Sequence, residues 1–421
     1  MPEVIDDTAV HLTEVDIDLD VQEILLAASQ HDQSKLRQLL RSQSMLPDAA
    51  NVKDTETGFS PLHAAIAACE PDTETVGTNG ATTSDSKPSL DAETVKSAVE
   101  TVKFLLQEGA IWNDLDANNE TPGCIARRIG ALELYELIVD AGVRAELLLN
   151  RLDAYEELSD DDDEEEEAEA EAETETAPEL VDASAEPATE TTTTATATPA
   201  NPEVSNSQYL ESRLNISNDR ILDADQNGVM MAWESDIMRK SATALLPTPG
   251  LKVLNIGHGM GIVDGFFQEQ GPAVHHIVEA HEEVVTEMKR RGWDTKPGVV
   301  IHQGRWQDIL PDLVASGETF DAIYYDTFAE SYGDFRDFFS EQVIGLLEQE
   351  GRWGFFNGMG ADRQISYDVY QKVAEMDLFE AGFDVQWEEI AVPKLDGEWE
   401  GVRRAYWVVD DYRLPLCKFM D

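Results

Sequence analysis

Between Arg151 and Arg213 the chain contains neither lysine nor arginine, and inside that stretch Asp160 to Glu167 is an unbroken run of carboxylates. Blocks of Asp and Glu followed by "ETTTTATATPANPE" cannot bury enough apolar surface to offset the entropy of ordering them. Residues 152–205 are therefore expected to be a low-complexity linker. The folded parts must come from the flanking segments, 1–151 and 206–421. With 421 residues and 42% hydrophobic content, two cores are within reach. The formal net charge of −55 argues against direct nucleic-acid or anionic-membrane binding, which needs positive patches. A basic substrate or partner is the better electrostatic match. The acidic run itself reads either as a solvated connector or as a lure for such a partner.

Cys69, Cys124 and Cys417 lie far apart with no metal-ligand spacing. That pattern predicts a reducing compartment, no disulfide framework and no metal. "MPEVIDDTAV" at the start lacks an apolar signal core, and no apolar run approaches the roughly 20 residues needed to span a bilayer. The expectation is a soluble intracellular protein, cytoplasmic with the nucleus as a second location.

The first 151 residues read as helical and repetitive. "VQEILLAASQHDQSKLRQLLRSQ" has two apolar-periodic segments broken near His31-Asp32. Ser60-Pro-Leu-His-Ala-Ala65 resembles the turn-and-helix signature of ankyrin repeats, Phe104 to Ala110 the end of an ankyrin outer helix, and Glu120-Thr-Pro122 the start of another unit. Two or three imperfect repeats are expected, stretched by the polar insertion "PDTETVGTNGATTSDSKPSLDAE"; a generic helical hairpin domain is the bland alternative.

From about Tyr209 strands and helices alternate. Strands are expected at Leu251–Gly257, His275–Glu279, Val299–Gln303, Phe320–Asp326, Arg352–Asn357, Phe383–Val392 and Arg403–Asp410. Amphipathic helices such as Glu282–Arg291 and Arg336–Glu348 fit between them. This alternation implies a parallel α/β sheet covered on both faces, with a ligand beyond the carboxyl ends of the strands. The first strand runs into "IGHGMGIV". A dinucleotide fingerprint needs G-x-G-x-x-G, but the third position is Ile262; the spacing is G-x-G-x-G through Gly257, Gly259 and Gly261. No Lys-Ser/Thr pair follows, so a phosphate-gripping loop is excluded. Glu279 ends the next strand about 20 residues on, where a carboxylate accepts two ribose hydroxyls.

That combination resembles class I methyltransferases, which bind S-adenosylmethionine. "GVMMAWESDIM" (Gly228 to Met238), "GHGMGI", "IVEAH", "HQGRWQD" and "FDAIYYDTF" (Phe320 to Phe328) together resemble guanidinoacetate methyltransferase over nearly all of Tyr209 to Val392. With ankyrin-like repeats in front, the whole chain looks like the fungal arginine N-methyltransferase 2 group, type IV enzymes that methylate the δ-nitrogen of arginine in a ribosomal protein. The resemblance implies a cofactor site of Tyr209, Met238, Gly257, His258, Gly259, Met260, Gly261, Ile262, Val263, Glu279, Ala280, His281, Trp306, Gln307 and Asp326. It also implies that Glu234 and Asp326 hold the acceptor guanidinium. His258 stands where the guanidinoacetate enzyme has an aromatic, and Ala280-His281 depart from its adenosine-binding loop.

Residue chemistry agrees with this implication. An arginine pKa of about 13.8 makes its guanidinium a poor nucleophile. Carboxylates can grip the planar fork, aim one nitrogen and accept its proton as the new bond forms. Plainer readings stand beside these roles: Trp233, Met230 and Met231 as core residues on a helix, Asp326 as the cap of a turn, His258 as a backbone contributor, and Trp306 as packing rather than an adenine platform. Spacing does not distinguish the δ from the terminal nitrogens. The expectation is a monomeric protein-arginine N5-methyltransferase whose repeats recruit its substrate. A small-molecule guanidino methyltransferase and a non-catalytic ankyrin scaffold are the alternatives.

Overall fold

A computed structural model describes residues 19–43, 48–71, 90–160 and 204–420. The acidic and Thr-rich run from 161 to 203, and all but the ends of the polar insertion at 71–93, lie outside the described residues.

The N-terminal part consists, among the described residues, of helices: α1 (19–29), α2 (Gln33–Gln38), α3 (Pro61–Ala67), α4 (Ala92–Gln107), α5 (Pro122–Ile129) and α6 (Leu132–Asp160). None is long and apolar enough to cross a membrane. Local chemistry sets the starts of α3 and α5. Ser60 and Thr121 each accept a backbone N–H of the first turn, and Pro61 and Pro122 occupy the first helical position, where no N–H is needed. Buried His63 joins the two starts. Its Nδ1 accepts the Ser60 N–H (3.2 Å) and its Nε2 pairs with the Glu120 carbonyl (3.1 Å), just ahead of α5.

The second part opens with α7 (Asn206–Glu211) and a three-stranded antiparallel sheet of β1 (Asn215–Ile216), β2 (Arg220–Leu222) and β3 (Gly228–Met231). Met230 and Met231 are thus buried on a strand, not on a helix. A tight turn, Ala232–Glu234, leads into α8 (Ser235–Leu245). There follow β4 (Lys252–Ile256), α9 (Ile262–Glu269), β5 (Val274–Glu279), α10 (Glu282–Arg290), β6 (Val299–Gln303), α11 (Trp306–Ser316), β7 (Phe320–Tyr325), α12 (Tyr332–Asp337), the short α13 (Ile344–Leu346), β8 (Leu347–Phe355), α14 (Gln364–Glu380), β9 (Phe383–Ala391) and β10 (Asp411–Phe419). The main sheet has the order β6-β5-β4-β7-β8-β10-β9, parallel except for β10, which runs antiparallel to both neighbours.

Two sequence expectations are corrected. The expected strand at Arg403–Asp410 is irregular; it carries buried Tyr406 and Trp407 over the sheet, and the last strand is β10. "DYRLPLCKF" escapes a sequence reading because Pro415, which lacks an N–H, argues against a strand with neighbours on both sides. The expected helix Arg336–Glu348 begins earlier, at a capping box on Ser331, widens at Phe338–Val343 and ends before Leu347, where β8 starts.

Register positions the site. Ile256 pairs with Val278 on one side and with Tyr325 on the other. The residues next in the chain, Gly257, Glu279 and Asp326, therefore leave the sheet at one edge, the carboxyl end where α/β ligands sit. The N-terminal helices share a continuous apolar core with this second part. At that seam a Cβ on Gly142 of α6 would lie 2.7 Å from the Val369 side chain of α14.

Candidate active site

Two cavities open at this edge and meet at Asp326. The first is walled by Tyr209, Gly257, Gly259, Glu279, Ala280 and Trp306. The second encloses about 1040 Å³, its mouth included, between Glu234, Tyr325, Tyr332, Phe355, Asn357 and Tyr406. Val229, Asp326, Thr327, Phe328 and Glu330 face both.

In the first cavity the glycines are demanded by the protein itself. Gly257 has φ +90°, and a Cβ there would sit 1.9 Å from the Asp326 carbonyl oxygen. Gly259 has φ +53°, and its Cβ would lie 2.7 Å from the Met230 sulfur. Both conformations are ones that side chains resist. Buried Glu279 stitches the turn: its carboxylate accepts the N–H groups of His258 (2.9 Å), Gly259 (3.3 Å) and His281 (2.8 Å).

Several residues expected in the cofactor site fall behind its wall. Met238 and Val263 are fully buried core residues, with Ile262 and Met260 packed against the same cluster. The Met260 N–H donates to the Met230 sulfur (3.2 Å). His258 gives its backbone to Glu279, while its ring turns inward to Asp264 (2.6 Å). Gly261 starts α9. The His281 ring accepts the Glu283 N–H (3.2 Å) at the start of α10 and packs 5.0 Å from Tyr209. The Gln307 side-chain nitrogen lies 3.5 Å from Glu330. Trp306 both lines the cavity and packs, its ring edge-on to Phe338.

Sequence reasoning missed Glu330 and the His258 network. The Glu330 carboxylate accepts the Trp306 indole N–H (3.0 Å), the Thr327 hydroxyl (2.8 Å) and a close contact from the Tyr325 hydroxyl. Under the glycine turn, buried Asp264 bonds His258, His275 (2.9 Å) and Asn255 (2.9 Å). Burial pushes the Asp264 carboxyl up, but the two histidines outweigh it and hold it at about 2. Neither acid lies within the sequence motifs above; Thr327 and His258 are near them in the chain, while Trp306 and His275 reach them from other elements.

The second cavity is defined by acids without a cation. Glu234 is only 4% exposed and accepts the Tyr406 hydroxyl. Burial, then the nearby Asp326 charge, raise its carboxyl well above the usual range. Asp326 is half-buried; its Oδ2 is enclosed and has no hydrogen-bond partner. Burial, then Asp264, push it up to about 7. None of the described residues facing the cavity is Lys, Arg or His; aromatic and small side chains supply most of the rest. A planar cation on a slender apolar stem is the complement of such a space.

A sheet of this order, with a glycine turn after β4, an acid ending β5 and an acid-lined cavity at β7, defines the Rossmann-like fold of a class I methyltransferase. The guanidinoacetate N-methyltransferase family model matches residues 206–397. Protein arginine N-methyltransferase 2 of Aspergillus fumigatus is 71% identical over 415 residues, covering 96% of this chain and 97% of the relative. The Neurospora crassa protein of the same name is 48% identical over 444 residues, covering 99% of each. A solved S-adenosylmethionine dependent methyltransferase from Mesorhizobium loti is 16% identical, with a TM-score of 0.32, over 44% of this chain and 98% of that one. The chain belongs to the protein arginine N-methyltransferase 2 family. It is a methyltransferase, and S-adenosylmethionine is its methyl donor.

The first cavity fits that donor. Gly257 and Gly259 leave a cradle that side chains would fill, and Tyr209 and Trp306 supply aromatic walls. Glu279 keeps acceptor capacity beyond its three backbone bonds, because a carboxylate offers about four lone-pair sites.

Proposed function

We propose that the protein monomethylates the δ-nitrogen (N5) of an arginine in a basic target protein, a ribosomal protein in the reading carried from its resemblance. The observation that carries the acceptor assignment is the pair Glu234 and Asp326, two acids without a cation facing one cavity that opens onto the donor site. A guanidinium would pair with both and lower both carboxyls toward the ionised form. In this reading Glu234, oriented by Tyr406, holds one edge of the fork. Asp326, at the junction, holds the nitrogen facing the donor and accepts its proton. When bound, the donor supplies a methyl group on a sulfonium. Tyr209, Glu279 and Trp306 hold it, with Glu330 fastening Trp306.

Cavity chemistry also favours a protein arginine over guanidinoacetate. A guanidino acid brings a carboxylate, and the described lining offers it three more carboxylates and no cation. An arginine side chain brings only methylenes behind its guanidinium, which suit the aromatic wall. The N-terminal helices are read as ankyrin-like repeats that recruit the substrate, residues 152–205 as the linker, and the enzyme as a monomer of the cytoplasm and nucleus. Choice of the δ-nitrogen rests on the family resemblance.

The test is incubation with labelled S-adenosylmethionine, a cell extract and guanidinoacetate. Label in protein, released as N5-methylarginine on acid hydrolysis, is the expected result. Label on a terminal nitrogen rejects the δ assignment, label in guanidinoacetate selects the small-molecule reading, and no label selects a scaffold.

A further inference from the structure

We propose that the N-terminal helices brace the acceptor cavity, and that Glu146 on α6 is a positioning residue acting through Tyr370. This rests on the acceptor reading of that cavity and goes beyond the recruiting role given to these helices above.

Helix α14 is the intermediary. Tyr370 and Ala374 face the cavity, while the same helix packs against α6. Glu146, 3% exposed, accepts the Tyr370 hydroxyl (3.0 Å) and is also bonded by Trp112 of the N-terminal part. A buried acid with no cation is costly, so its two donors hold it in one place. A second chain of contacts, also through α14, reaches the cavity at another point. The Tyr135 hydroxyl donates to Asp368 (2.5 Å), which pairs with Arg413 (2.8 Å). The Arg413 backbone N–H donates to the Tyr367 hydroxyl (2.9 Å), and that hydroxyl also accepts from Asn357 (3.1 Å), a cavity residue. A third link runs from the Arg336 guanidinium on α12 to the Asn150 carbonyl (2.9 Å); α12 carries Tyr332 and Phe335 of the cavity wall.

Three cavity-bearing elements are therefore fastened to α6 or its neighbours. A wall held in one arrangement binds its ligand without the cost of ordering it. A domain that only recruited substrate would matter for large substrates and not for a short peptide.

The experiment uses the full chain with Glu146→Ala and Glu146→Gln. Donor affinity, kcat and KM with a short single-arginine peptide, and hydrogen exchange of residues 364–380 are measured. Glu146→Ala is expected to raise peptide KM about tenfold, leave donor affinity unchanged and speed exchange in α14. Glu146→Gln keeps an accepting oxygen and should restore KM. Where Glu146→Ala does not fold, Tyr370→Phe removes one hydroxyl and carries the same expectation. An unchanged peptide KM, or a loss in Glu146→Gln as large as in Glu146→Ala, overturns the proposal. Wild-type turnover of the peptide is scored first. If wild type methylates no arginine, the acceptor reading fails by itself, and unchanged exchange in α14 then overturns the brace too.

Discussion

Asp326 does three jobs at once: its carbonyl lies where a Gly257 side chain would be, its N–H donates to Ile256, and its carboxylate faces both cavities. With that carboxyl pushed up to about 7, it is largely protonated below neutrality, and arginine does not titrate in this range. The sign follows: kcat/KM for an arginine peptide rises with pH as Asp326, at about 7, and Glu234, also raised, gain their charges. A pH–rate profile flat from 5.5 to 8.5 would contradict this. Glu234→Gln keeps shape and removes charge; kcat/KM should fall about a hundredfold while donor affinity, measured by calorimetry, stays at the wild-type value. Gly257→Ala forces a left-handed φ on a side chain, about 1–2 kcal/mol, and adds the clash with Asp326. Urea unfolding should show lost stability, and donor affinity and activity should fall with it.

At the scale of elements, the β4–α9 turn is fixed from below by Asp264. Its low carboxyl gives a contribution that is present above about pH 4 and lost as pH falls through about 2. Asp264→Asn leaves His258 and His275 without their anion and should cost about 3 kcal/mol in denaturant unfolding. Loss of stability in acid should also become shallower in that variant. The β9–β10 hairpin makes a different point. Its register, Asp411 with Ala391 through Phe419 with Phe383, depends on pairing residues tens of positions apart, so no local pattern announced it.

For the whole molecule, the seam between α6 and α14 decides whether the two parts unfold together. Gly142 lets α6 approach Val369 and Trp112, where a Cβ would lie 2.7 and 3.0 Å away. A continuous apolar core across that seam predicts one cooperative thermal transition for the described parts. Gly142→Leu should separate it into two transitions in calorimetry, with donor binding retained in the second. Two transitions already present in wild type would mean the seam is weak.

The alternation of strands and helices, the G-x-G-x-G turn and Glu279 at a strand end are legible in the chain, because backbone period, glycine spacing and strand ends are local properties; the pair Glu234 with Asp326 came from the family resemblance. Resemblance supplied roles for residues but not their directions. It placed Met238, Met260 and His258 at the donor site, whereas the Met238 and Met260 side chains pack with the core and the His258 ring bonds Asp264, leaving its backbone to the turn as the plainer reading had it. Trp306 on Glu330, His275 on Asp264, Tyr406 over Glu234 and the brace through Glu146 depend on side chains from different elements meeting after folding. Sequence by itself therefore determined which chemistry the chain carries. Tertiary structure alone decided which acids face a shared space without a cation, because burial and partner geometry belong to the packed whole.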